Sequence, residues 1–95
     1  MRVRFTETAD EENDQLLADI AADSPSAAAT VAATIEAIIA RLSSFPHLGA
    51  ETDLAGVRLM VARPYAYLIF YTIENDVLVV RNIRHPSRQR PHLSA

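Results

Sequence analysis

The chain has 95 residues, 49% of them apolar, and sets nine cations, all arginine, against twelve carboxylates with no cysteine. At about 100 to 200 residues per domain, this length holds one compact domain, expected over residues 1–95, and excludes a two-domain enzyme carrying its own cofactor module. The missing cysteine excludes a disulfide scaffold, a thiolate metal site and a thiol nucleophile, and three scattered histidines are a poor basis for a metal centre.

The opening residues Met1 to Phe5 lead into an acidic segment rather than an apolar signal core, and no stretch reaches about 18 apolar residues. The expectation is a cytoplasmic protein with no membrane contact. Val3 and Phe5 alternate with Arg2 and Arg4, the period of a short strand. Thr8 and Glu11 have capping-box spacing, and the acidic first turn suits the positive end of a helix dipole. A helix over about residues 9–23 then turns Leu16, Leu17 and Ile20 inward.

Ser24-Pro25 pairs a capping hydroxyl with a proline at the first helical position, where no N–H is needed. The helix it starts runs to about Ser44, with Val31, Ile35, Ile38, Leu42 and Phe45 in one apolar stripe. Ten alanines fall between Ala18 and Ala40, and small side chains let the two helices pack closely as a hairpin.

Phe45-Pro46 ends the second helix, and residues 47–55 read as a loop containing Gly49. From Gly56 the period becomes two. Val57, Leu59 and Val61 alternate with Arg58, Met60 and Ala62, giving a strand with one apolar face. Pro64-Tyr65 supplies a turn, and residues 67–73 are apolar on both faces, as in a central strand. Glu74-Asn75-Asp76 is a hairpin turn by composition. The last strand, residues 77–83, puts Val77, Val79, Arg81 and Ile83 on one face, with Leu78, Val80, Asn82 and Arg84 on the other. Residues 85–92 are polar and basic and read as loop.

The fold class is therefore α+β in the order β-α-α-β-β-β, a helical hairpin packed on one face of a small, mainly antiparallel sheet. The opposite face is left apolar and bare, and a partner is the simplest cover for it. Charge is divided along the chain: residues 1–57 carry a net −7 and residues 58–95 a net +4. The basic end could meet an acidic protein or nucleic acid.

Two glycines cannot build a glycine-rich phosphate cradle, and no P-loop, dinucleotide fingerprint or zinc-protease motif occurs, so no cofactor is expected. The carboxylates of the first helix sit where a solvated face would have them. What remains is Arg58, Arg63, Tyr65, Arg81, Arg84, His85 and Arg88. A metal-free ribonuclease needs a group titrating near neutrality and cations for the charge that builds on phosphorus, roles open to His85, Arg58 and Arg88. Arginine forks bind carboxylates as readily, and a protein-contact surface is the preferred reading.

Gly56-Val57-Arg58, Pro64-Tyr65, the run Tyr67 to Tyr71, Val77 to Val80, and Ile83-Arg84-His85 with Arg88 resemble the C-terminal half of ParE/RelE superfamily toxins of bacterial type II toxin-antitoxin modules. The resemblance extends upstream through Ser24-Pro25, Leu42, Phe45-Pro46 and Gly49. RelE-like members cleave mRNA on the ribosome with lysines, arginines and a C-terminal tyrosine. Here the basic strand reads Arg58-Leu59-Met60, Leu68 stands where a catalytic arginine would, and no tyrosine follows Arg88. The residues are more similar to the ParE branch, whose members characteristically poison DNA gyrase, although Pro86 replaces a glycine common in that branch.

The resemblance implies a non-enzymatic toxin that binds DNA gyrase or another type II topoisomerase. It also implies a ParD-like antitoxin that wraps the toxin in a hetero-oligomeric complex and makes any DNA contact. Tyr65, Leu68, Phe70 and Arg81 are the expected antitoxin contacts, and Arg84, Arg88 and Arg90 the expected target contacts. The alternatives are a ribosome-dependent ribonuclease and a non-toxic module that only joins the antitoxin complex.

Overall fold

In chain order the elements are β1 (Arg2–Phe5), α1 (Glu7–Asp23), α2 (Pro25–Ser44), β2 (Ala50–Glu51), β3 (Arg58–Ala62), β4 (Tyr67–Glu74) and β5 (Val77–Arg84), in a computed structural model that describes residues 1–86. Two helices pack on a five-stranded mixed sheet of order β1-β5-β4-β3-β2. The first and last long strands pair in parallel, and every other neighbour is antiparallel. The strand read as central is central.

Helix α1 starts two residues before the expected box. Thr6 is the cap, its Oγ1 accepting the Ala9 N–H at 3.0 Å. The reason is tertiary: the Thr6 N–H donates to the Val80 carbonyl at 3.0 Å, so pairing with β5 fixes where the chain leaves the strand. Ser24 serves both helices. Its N–H closes α1 onto the Ile20 carbonyl, and its hydroxyl accepts from Ala27 N–H at the start of α2. Pro25 follows at the position that tolerates it.

The α2 stripe buries Val31, Ile35 and Leu42, with Ile38 partly buried against the same core. Phe45, expected to complete the stripe, is 65% exposed, because as the C-cap it has left helical geometry. By length and composition alone α2 is apolar enough to cross a membrane; its buried stripe packs it against the sheet instead.

Two strand faces differ from the expectation. In β3, Met60 and Ala62 face the helices, while the more apolar pair Leu59 and Val61 points away, opposite Phe70 and Leu68 of β4. In β5 a bulge breaks the alternation: Phe70 pairs with Asn82 and Tyr71 with Val80, leaving Arg81 extra. Ile83 therefore joins Leu78 and Val80 in the core rather than Val77 and Val79 on the other side. Sequence period cannot reveal an inserted residue. The expected loop also contains β2, two residues held by Leu59 and Arg58.

Candidate functional site

Three groups of side chains deserve description: the face of the sheet away from the helices, the cleft where β4 and β5 meet α1, and the knot around Arg58.

Among the described residues, no helix covers the face carrying Leu59, Val61, Leu68, Phe70 and Val79. Yet Phe70 is only 5% exposed and Val79 only 1%. This corrects the picture of a bare apolar sheet: Phe70 is already enclosed by its own chain, whereas Leu68 is half-buried and Tyr65, in the turn before β4, is 38% exposed. Arg81 lies on this face, its Nε donating to Thr72 Oγ1 at 3.2 Å and its Nη2 to Glu74. The Thr72 hydroxyl donates to the same Glu74 carboxylate at 2.6 Å. These bonds, the Thr72 one foremost, hold the Glu74 carboxyl below its ordinary range.

Arg2 and Arg4 pair in register with Val77 and Val79, so both belong to this face beside Arg81. Sequence reasoning assigned them to the acidic half of the chain. Their alternation with Val3 and Phe5 was visible, but only the parallel pairing of β1 with β5, some seventy-five positions apart, brings them here.

At the other end of β4, a cleft of about 330 Å³ lies between α1 and the strand ends, lined by Glu12, Asp19, Tyr67, Arg84 and His85 among others. The Tyr65 and Tyr67 rings stack with centroids 6.3 Å apart, and His85 meets Tyr67 edge-on at 5.9 Å. Glu12 of α1 reaches β5, where its Oε1 accepts from the Ile83 N–H and the Asn82 side-chain amide at 3.1 Å each. Its Oε2 stands 2.9 Å from Arg84 Nε, off the N–H direction, an ion pair rather than an aligned hydrogen bond. Arg84, expected at a target surface, is thus drawn inward, its side chain 17% exposed. Arg88 and Arg90 lie outside the described residues.

Arg58 holds a loop. Its Nη1 donates to the Gly49 carbonyl at 2.7 Å and the His47 carbonyl at 3.3 Å, and its Nη2 lies 3.7 Å from Glu51. Across the strand it pairs with Tyr71, whose buried hydroxyl accepts from Gly49 N–H and donates to the Pro46 carbonyl. Burial pushes the Tyr71 phenol up, while the Gly49 hydrogen bond and the Arg58 charge pull it partly back. His85 follows Arg84, which pairs with Leu68. Arg58 lies opposite Tyr71 at the middle of β4 and His85 beside its start, so the two stand about 13 Å apart along the strand at its rise per residue. The structure does not bring Arg58 to His85, and Arg88, the third member of the ribonuclease set, lies outside the described residues.

Known proteins resemble this chain in sequence and in fold. The family model described as the ParE toxin of the type II toxin-antitoxin system parDE matches residues 3–90. The Sinorhizobium fredii protein Y4kP, whose name describes it as a toxin, is 32% identical over 92 residues, covering 97% of this chain and 95% of its own. A chain in the structure of the chromosomal ParDE system from P. aeruginosa superposes with a TM-score of 0.77 at 16% identity, over 90% of this chain and 95% of that one. At that identity the superposition speaks for the fold.

Proposed function

We propose that this chain, which belongs to the ParE toxin family of type II toxin-antitoxin systems, acts in the cytoplasm by binding DNA gyrase or a related type II topoisomerase, without catalysis of its own. A ParD-like antitoxin neutralises it in a hetero-oligomeric complex and makes whatever contact the complex has with DNA.

The observation that carries the non-enzymatic reading is the fate of Arg58. A ribonuclease of the kind this sequence could formally build needs Arg58 beside His85 to stabilise the charge on phosphorus. Instead the guanidinium is spent on two loop carbonyls, about four residues along the sheet from His85. The antitoxin surface is the face away from the helices, with Tyr65 and Leu68 as apolar contacts, Arg81 at its basic side and Phe70 beneath. Arg2 and Arg4 extend the basic side along β1. An acidic, apolar segment that folds on binding matches it. The target side is assigned to Arg88 and Arg90, which follow β5 in the sequence, and to Arg84 once it is released from Glu12.

Induced expression of the chain alone, and together with its neighbouring antitoxin frame, tests the reading. Growth arrest relieved by the second frame, with bulk mRNA intact, is expected. Unimpaired growth points to a non-toxic binding module, and rapid loss of message in translating cells points to a ribonuclease.

A further inference from the structure

Between α2 and β2 the chain makes a turn whose backbone is held from several sides. The Leu48 N–H donates to the Phe45 carbonyl at 3.0 Å, closing a four-residue turn with Pro46 at its second position. The Tyr71 hydroxyl donates to the Pro46 carbonyl at 2.7 Å and accepts the Gly49 N–H at 2.9 Å. Arg58 donates to the His47 and Gly49 carbonyls at 3.3 and 2.7 Å. The carbonyls of Phe45, Pro46, His47 and Gly49 are thus all bonded within the chain.

The side chains of this fixed turn are left in solvent. Phe45 is 65% exposed, the most of any large apolar side chain among the described residues, and Leu48 is 43% exposed. The first and fourth residues of such a turn have Cα atoms within about 7 Å, so the two side chains are neighbours and make one apolar knob. Beside it Arg41, whose carbonyl accepts the Phe45 N–H at 2.8 Å, is exposed and makes no ion pair among the described residues. An aromatic and an aliphatic side chain on a turn ordered in advance, flanked by an unneutralised guanidinium, have the composition of a binding hot spot.

We propose that Phe45 and Leu48 anchor this chain on its protein target, entering an apolar pocket of that partner whose rim carries a carboxylate for Arg41. The inference rests on the reading above that the chain acts by binding a protein. A segment that folds on binding, as an antitoxin does, brings its own projecting apolar side chains and needs a groove. A rigid projecting knob needs a preformed pocket, which a folded target supplies. Tyr71, which holds the turn, lies in the core beneath the helices, whereas Leu68 and Phe70 face away from them, so the knob stands apart from the Tyr65 and Leu68 surface. A second copy of the chain is a poor occupant. Across a two-fold axis knob meets knob, and a head-to-tail contact leaves a free knob on each successive copy.

The test compares variants of the full chain by the amount of protein that halves growth rate, by affinity for the antitoxin of the neighbouring frame, and by unfolding midpoint. Phe45→Asn and Leu48→Asn are expected to need at least about tenfold more protein for the same arrest, and Arg41→Glu about threefold more, while Phe45→Leu stays near the parent. All four should keep antitoxin affinity within about twofold and the parent's unfolding midpoint, because the replaced side chains are exposed. Undiminished potency of the two Asn variants, or a matching loss of antitoxin affinity, overturns the proposal. So does a parent dimer that the Asn variants dissolve, which assigns the knob to a second copy. Arrest by the parent that the variants match removes the anchor alone; a parent that does not arrest growth removes the toxin reading and the anchor with it.

Discussion

The Tyr71 hydroxyl occupies the space that a side chain at Gly49 would need: a Cβ built on Gly49 falls 2.5 Å from that oxygen and 2.7 Å from ring carbon Cε1. The same hydroxyl accepts the Gly49 N–H at 2.9 Å and donates to the Pro46 carbonyl at 2.7 Å. One core side chain thus fastens the loop after α2 to the centre of the sheet. Gly49→Ala is expected to destabilise by about 1 to 3 kcal/mol through overpacking. Tyr71→Phe is expected to cost about 1 to 3 kcal/mol by leaving a buried N–H unpaired. The double variant should lose less than the sum, since removing the hydroxyl relieves the nearest clash. Denaturant unfolding of the four proteins measures this, and strict additivity would show that the two residues act separately.

The pH dependence follows from two carbon-bound oxygens with opposite shifts. The folded Tyr71 phenol titrates above its ordinary value of 10.0, so the unfolded chain gives up that proton first. Its contribution is intact below pH 10 and is lost as pH rises through the ordinary value toward the folded one. Glu74 titrates below its ordinary 4.5, so its contribution is present above that value and disappears as pH falls through the folded one. Thermal unfolding across pH should show both limbs, with Tyr71→Phe flattening the alkaline limb and Arg81→Leu weakening the acid one.

The β4–β5 turn holds Asn75 at φ 51° and Asp76 at φ 62°, the positive pair of a two-residue hairpin turn. Asn-Gly satisfies that geometry better than Asn-Asp, because glycine lacks the Cβ that crowds the following carbonyl. Asp76→Gly is expected to stabilise by about 0.5 to 1 kcal/mol, read as a higher denaturation midpoint with an unchanged slope.

Glu12 secures the end of β5 through one backbone and two side-chain partners. Glu12→Ala should destabilise by about 1 to 3 kcal/mol and speed hydrogen exchange at Ile83. Glu12→Gln, which keeps an acceptor but loses the charge facing Arg84, should fall between it and the parent. If Ile83 exchange is unaffected by either change, the strand end does not depend on Glu12.

Much of the architecture was legible because it is local. Ser24-Pro25 marks the helix junction from two adjacent residues, and the two-sided apolarity of residues 67–73 marks the central strand. What escaped depends on distant contacts. The α1 cap moved to Thr6 because of Val80, seventy-four positions away, and the bulge at Arg81 has no signature in the apolar period. The apolar face of β3 pointed the wrong way because Met60 and Ala62, though less apolar than Leu59 and Val61, fit beneath the helices. Of the candidate site, Leu68 and Phe70 share a face by strand alternation, whereas the stacking of Tyr65 on Tyr67 depends on the turn before β4. The loop-holding role of Arg58 was not legible, since its bonds to His47 and Gly49 join segments that only the fold brings together.

The most direct test of the central claim is DNA supercoiling by purified gyrase in the presence of this protein, using a preparation whose expression arrests growth. Inhibition or accumulated cleavage complexes at stoichiometric protein, reversed by the antitoxin, is the predicted result. Undiminished supercoiling at stoichiometric excess of a toxic preparation would contradict gyrase as the target.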